Sequence, residues 1–382
     1  MANKTTRPFL VDLIHDERSN SHLHFIEEET LISGNLMLML ESAFKHKDVG
    51  MIIAHKQVST SKKAIETLVA RSKTYQRNMI VLDIENILTG NAAYQVVRYN
   101  PLRGKSLLQA LRMVCSVFME TEPNERDRLN IIHTVYPLLK QQISGTIPHL
   151  TLRKLLNETI KLSETSLNPT SKYAVDGLLK AFSILDDNNL IDRLNDDIND
   201  ESFNFADIIL NNKIGVIKST DTNQITSLKH LQTLATADLL ETLVDILENS
   251  EHKLINGSLR RYFFTDLTTL FNPMVMPLVM RYSRKLYMQS HVFLNYQELP
   301  LSPDGSQEEN IVKSAYNRIY QPTSTYFPHY KSNLFGQQEY MKMMLDPNTI
   351  YEQKLPLNTV LFCCNHLPSV ELLSFKDFYG AA

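Results

Sequence analysis

Short apolar runs that alternate with helical stretches constrain this chain more than any other feature. Met51-Ile52-Ile53-Ala54 is one such run, and Met79-Ile80-Val81-Leu82-Asp83-Ile84 repeats it after a helical stretch at 62–73, so the order reads strand, helix, strand. Residues 95–99 are expected as a third strand, closed by Asn100-Pro101, because proline drives the residue before it out of the helical region. The pattern returns late in the chain. Strand character resumes at 213–218, and a long helical pattern follows through Leu228, Leu231, Leu239, Leu243, Ile246 and Leu247. Strands at 261–266 and 291–297 flank a helix at 274–289, and 358–364 forms a last strand. Strands that alternate with helices imply a mainly parallel sheet covered on both faces.

Between these halves the period changes. Leu107, Leu108, Leu111, Val114, Cys115 and Phe118 recur at helical spacing, as do Val175, Leu178, Leu179, Phe182 and Leu185, and nothing between them alternates like a strand. The expectation is an inserted all-α domain at 103–200, between an N-terminal part (1–102) and a C-terminal part (201–382) of one α/β domain. A chain of 382 residues has room for both cores. The acidic, Asn-rich run at 186–201 reads as solvated helix ends and loop.

Composition narrows the function classes. A formal net charge of −3 gives no global attraction to phosphate backbones or anionic lipid, so a basic nucleic-acid-binding body is not supported. Lys45, His46, Lys47, Lys56, Lys62 and Lys63 form a modest basic region that reads as a solvated face. Three cysteines, Cys115, Cys363 and Cys364, make no disulfide framework, which fits a reducing compartment. Cys363, Cys364 and His366 lie close together, but structural zinc needs four ligands and no second pair exists; two buried thiols at a strand end is the plainer reading. No apolar run reaches the roughly 18–20 residues that cross a bilayer, and the first 16 residues lack the apolar core of a signal peptide, so a cytoplasmic protein is expected.

Laid in order, these pieces resemble the motor domain of the coupling ATPases of type IV secretion and conjugation, a P-loop NTPase-like (RecA-like) α/β fold with an inserted all-α domain. Ser21-His22-Leu23-His24-Phe25-Ile26 resembles the strand that leads into the family's phosphate loop, and residues 51–56 stand where its second strand ends in Asp-Pro-Lys. Tyr99-Asn100-Pro101-Leu102 matches its Tyr-Asn-Pro-Leu signature, with the helical insertion directly after it. Residues 204–219, 284–299 and 357–379 resemble the segment that re-enters the sheet, the Arg…Gln strand near the nucleotide, and the closing strand.

The departures bear on activity. A working phosphate loop, G-x-x-x-x-G-K-[ST], uses glycines to let backbone N–H groups approach the phosphates, a lysine for the β and γ oxygens and a hydroxyl for Mg²⁺. The aligned stretch is Glu29-Thr30-Leu31-Ile32-Ser33-Gly34-Asn35-Leu36, which keeps only Gly34; Asn35 replaces the cation and Leu36 the metal ligand. Each lost charge-assisted contact costs roughly 1.5–3 kcal/mol. The family's Asp-Glu at a strand end is Asp266-Leu267 here, and an alkyl side chain cannot orient a nucleophilic water. Arg284 and Gln297 stand at positions that, by the resemblance, contact nucleotide; without a cradle, structural roles are expected for both. Gly104-Lys105-Ser106 lies between an expected strand and an expected helix, the context a phosphate loop requires, although Tyr99 stands where its first glycine belongs and Pro101 removes a donor.

The resemblance therefore implies a coupling-protein-like pseudo-ATPase, with no cofactor, acting as a scaffold or partner-binding subunit in DNA or protein transfer. Its expected partners are proteins of the secretion or conjugation complex, an active coupling ATPase among them, in an oligomer that meets the membrane only through a partner. The alternative is an active ATPase that uses ATP and Mg²⁺ through an atypical loop at Gly34 or Gly104.

Overall fold

The computed structural model describes residues 21–26, 29–46, 49–54, 62–82, 97–121, 125–143, 150–165, 167–186, 190–194, 203–218, 225–249, 260–266, 276–286, 288–294, 317–321, 359–364 and 370–374. β1 (Ser21–Ile26) is followed by α1 (Glu29–Phe44), β2 (Val49–Ala54), α2 (Lys62–Thr74) and β3 (Met79–Leu82). A helical run comes next: α3 (Leu107–Thr121), α4 (Glu125–Ile143), α5 (Leu152–Ser163), α6 (Pro169–Asp186), α7 (Leu190–Arg193) and α8 (Phe205–Leu210). The chain then alternates again through β4 (Ile214–Ile217), α9 (Ile225–Asn249), β5 (Arg260–Asp266), α10 (Met276–Lys285) and β6 (Met288–Leu294). It ends in three strands, β7 (Asn317–Gln321), β8 (Thr359–Cys364) and β9 (Val370–Ser374).

Among the described residues nine strands join one sheet in the order β3-β4-β2-β5-β6-β1-β7-β8-β9. β1 to β7 run parallel, and β8 and β9 turn antiparallel at one edge. Two crossovers, from β1 to β2 and from β2 to β3, step one way along the sheet. The steps from β3 to β4, β5 and β6 go back the other way. A βαβ crossover is right-handed almost without exception, so a reversal of direction must move the helices to the opposite face. The cores obey this. Tyr262, Phe264, Met51, Ile53 and Val216 pack under α1 and α2, while Ile52, Leu82, Ile217 and Phe263 pack under α8, α9 and α10. The result is a mixed α/β fold with a mainly parallel sheet and helices on both faces, consistent with RecA-like P-loop NTPase architecture.

The helical run packs onto the sheet layer. Val114, Leu178 and Phe182 belong to the same buried cluster as Leu239 and Leu243 of α9 and Ile52 of the sheet. Its helices are started by local signals. Thr151 caps α5 by accepting from the Lys154 N–H at 3.2 Å, and Asn204 caps α8 by accepting from Ala206 at 2.8 Å and Asp207 at 3.3 Å. The expected boundary after 102 falls in a turn at 101–104; that after 200 lies outside the described residues.

Two expectations are corrected. The strand at 95–99 is, over its described part, a single bridge: Val97 N–H donates to Val81 O at 3.2 Å, and Phe203 N–H donates to Arg98 O at 2.7 Å. The turn at Asn100-Pro101 follows too soon for a ladder to grow. The helix expected at 274–289 stops at Lys285, because Met288, Gln289 and Ser290 pair with Arg261, Tyr262 and Phe263 of β5. Sheet pairing took residues that helical periodicity had claimed. Residues 295–297, including Gln297, lie outside the described residues.

Candidate functional site

In an open parallel sheet, ligands bind beyond the carboxyl ends of the strands, where neighbouring crossovers diverge. Here that place is the end of β1, where the chain passes to α1. The structure puts Glu29 at the first helical position, so the whole stretch aligned with a phosphate loop lies in the first two turns of α1, and Gly34 and Asn35 are in the second turn. This changes the chemistry of the backbone. From the fifth residue of a helix onward each N–H donates to a carbonyl four residues back, so the N–H groups of Ser33 to Leu36 point along the helix and cannot wrap a phosphate.

Asp266 ends β5, level with Phe293 of β6, and Phe293 is level with His24 of β1. The Asp266 backbone therefore stands two strands, about 10 Å, from β1. Arg284 lies in the last turn of α10, on the opposite face from α1.

The second candidate, Gly104-Lys105-Ser106, makes contacts within the protein. Gly104 closes the 101–104 turn at φ +71, a conformation side chains rarely adopt, and its Cα faces open space. Ser106 caps α3 reciprocally with Gln109: its hydroxyl accepts from the Gln109 N–H at 3.3 Å, and Gln109 Oε1 accepts from the Ser106 N–H at 2.9 Å. Lys105 turns inward. Its Nζ lies 2.5 Å from Asp238 Oδ1 and donates to Thr242 Oγ1 at 2.9 Å, both on α9.

Asp238 was not visible as a functional residue in the sequence, because its partners lie about 135 residues away. Its other oxygen accepts from the Tyr99 hydroxyl at 2.7 Å. Burial first, and then the carboxylate of Asp238, holds the Tyr99 phenol well above its usual range. Nearby, Asn100 donates to Leu150 O at 3.0 Å and accepts from the Leu102 N–H at 3.1 Å. The Tyr-Asn-Pro-Leu stretch thus builds the joint between sheet and helical run, and the residues in it are spent on that joint.

Sequence reasoning also missed a polar chain inside the sheet. His24 Nε2 lies 3.2 Å from His291 Nδ1, and His291 Nε2 lies 3.3 Å from Gln289 Oε1. Both rings are buried; Phe293 stacks on His24 at 4.5 Å and Phe264 on His291 at 5.0 Å. Neighbouring strands bring these side chains together, and no spacing in the sequence announces it.

The residues present do not fit a nucleoside triphosphate with Mg²⁺. At α1 the loop is helix without a lysine or a hydroxyl at the metal position, and at Gly104 the lysine is held by a buried carboxylate and the serine by its own helix. Among the described residues no group of three His, Cys, Asp or Glu side chains could hold a metal ion. Among them, too, no helix is long and apolar enough to cross a membrane.

No protein-family profile matches the chain, and no curated protein matches its sequence. Solved structures do match in shape. The bacterial conjugative coupling protein TrwBdeltaN70, in its unbound monoclinic form, superposes with a TM-score of 0.51 at 12% identity, covering 87% of this chain and 86% of that one. Its trigonal form in complex with sulphate gives 0.46 at 12% identity, over 88% and 85% of the two chains. VirB4 of Thermoanaerobacter pseudethanolicus gives 0.47 at 12% identity, over 85% and 88%. At this identity the first likeness shows a shared fold, and the two superpositions below 0.5 add no weight to it.

Proposed function

We propose that this chain is a coupling-protein-like pseudo-ATPase that serves a type IV secretion or conjugation system as a scaffold or partner-binding subunit. The observation that carries the reading is the helical start of α1 at Glu29, where the fold would otherwise place its phosphate loop. A nucleotide there loses the backbone cradle, the lysine and the metal hydroxyl together. Each lost charge-assisted contact costs roughly 1.5–3 kcal/mol, enough in sum to remove binding at millimolar nucleotide. What remains is the fold itself, with a buried sheet and two covered faces, which suits an interaction role that needs no turnover. Proteins of the transfer machine, among them an active coupling ATPase, are the partners this reading implies.

The test is thermal unfolding with and without Mg-ATP. A ligand at a hundred times its dissociation constant stabilises by about 2.7 kcal/mol, which moves the transition measurably. The expected result is no shift at 5 mM nucleotide, a concentration on the order of physiological ATP and above the usual Kd of a working site. A shift that Lys105→Ala abolishes would instead establish an ATPase-type site at the Gly104 turn, and a shift that Lys105→Ala leaves intact would place one at α1; either sinks the proposal.

A further inference from the structure

We infer that Asp238 is a latch that fastens the helical run α3–α7 to the sheet layer, so that the two move as one rigid body. The inference stands apart from the nucleotide reading, since none of its contacts involves a ligand.

The argument begins with where the two elements belong. α9 is the crossover from β4 to β5 and packs directly on the sheet, whereas α3 opens the helical run. A joint between α3 and α9 is therefore a joint between the two layers. Asp238 supplies both of its oxygens to groups from the root of that run: Oδ1 to Lys105 Nζ at 2.5 Å and Oδ2 to the Tyr99 hydroxyl at 2.7 Å. Thr242, one turn further along α9, accepts from Lys105 at 2.9 Å and lies 3.3 Å from Asp238 Oδ1. One turn of α9 also carries Glu241, which takes both arms of the Arg112 guanidinium from α3.

Two cations spaced seven residues apart on one side thus meet two carboxylates three residues apart on the other. Asp238 is 5% exposed and Glu241 6%, so both carboxylates lie in the interior, where a charge without its partner is costly. The Lys105–Asp238 pair, with side chains 12% and 7% exposed, is screened by solvent and salt far less than a surface pair, whereas Arg112 keeps 49% of its side chain exposed. Aromatic packing stiffens the same point, because Tyr99 meets Phe203 and Phe205 edge-on at 6.0 and 6.4 Å. Asn100 ties the root in turn to the segment that leads into α5 through Leu150 O. A hinge needs a place where few contacts cross; this root is crossed by a closed polar network instead.

Amide hydrogen exchange on the full chain tests the latch. Lys105→Met keeps the apolar stem and removes the cation. Exchange across α3, α5 and α6 should then rise about tenfold or more, while β1, β5 and α1 stay at the rate of the parent chain. Tyr99→Phe should give the same pattern with a smaller rise, and it serves if Lys105→Met folds poorly. The double variant Lys105→Met, Asp238→Asn removes the buried charge while leaving the joint open, so the helical run should still exchange faster than in the parent. Exchange raised only at residues 101–110, raised equally over the sheet, or restored to the parent rate in the double variant would each overturn the inference.

Discussion

Gly50→Ala should lower the stability of this protein by about 2 kcal/mol, and the reason is a backbone rather than a side chain. A Cβ at residue 50 would stand 2.8 Å from Ile208 O and 3.1 Å from Ile209 O, both main-chain atoms of α8. Ordinary close C···O contacts lie at about 3.3 Å or beyond, so α8 must retreat by roughly half an ångström. It has little freedom to do so. Arg261, buried at the start of β5, donates from Nε to Ile209 O at 3.0 Å, and Gly215 of β4 leaves only enough room for Ile208 Cδ1, 2.5 Å from where its own Cβ would be. Overpacking of this kind costs about 1–3 kcal/mol, and weakening a charge-assisted hydrogen bond adds about 1 kcal/mol. The lower entropy of the unfolded alanine chain returns about 0.4–1 kcal/mol. Urea unfolding measures the balance as a lower midpoint at unchanged slope. Two other glycines are the controls. Gly104→Ala meets open space at φ +71 and should cost only about 1 kcal/mol of backbone strain. Gly177→Ala, inside α6 and 3.8 Å from Ile131 Cδ1, should gain about 0.5–1 kcal/mol. A Gly50→Ala protein no less stable than Gly104→Ala would refute the close approach of α8.

Two further outcomes follow from single residues. Burial pushes the Cys115 thiol up to about 12 from its ordinary 9.0. A raised value means stability that is fully present below about pH 9 and is lost as pH rises toward 12, so Cys115→Ala should flatten that alkaline decline. For the same reason native protein at pH 8 should resist iodoacetamide at Cys115 until urea unfolds it, and equal labelling in both states would contradict the burial. Asn204→Ala removes the cap of α8 and should cost about 1 kcal/mol by urea unfolding; no loss would mean that α8 is held by packing alone.

Much of the sheet could be read in advance because β2, β3 and β4 are apolar along their described length. Met51-Ile52-Ile53-Ala54, Met79–Leu82 and residues 213–218 stand out as short runs, since a parallel strand under helices on both sides must be buried all round. β7 and β9 escaped notice. Asn-Arg-Ile-Tyr-Gln and Val-Glu-Leu-Leu-Ser mix polar and apolar residues, and such runs resemble loop. The end of α10 was misjudged because Met288 fits a helical stripe as well as a strand, and only its pairing with Arg261 decides between them. α1 illustrates the opposite error: alignment to a loop pattern hid a helix whose residues, from Leu36 to Phe44, are buried along one side.

The candidate site divides along the same line. The absence of the lysine, the hydroxyl and most of the glycines is a property of residue types and is complete in the amino-acid order itself. So are the Gly104 turn and the Ser106 cap, which depend on neighbours within three residues. The occupation of Lys105 by Asp238, the joining of His24 to His291 and the close seat of α8 on Gly50 and Gly215 depend on groups far apart in the chain. Local order sets what a backbone segment can adopt, through propensity, capping and period. Which charges neutralise each other, and which helix lies against which strand, is decided only when distant segments are packed together in three dimensions.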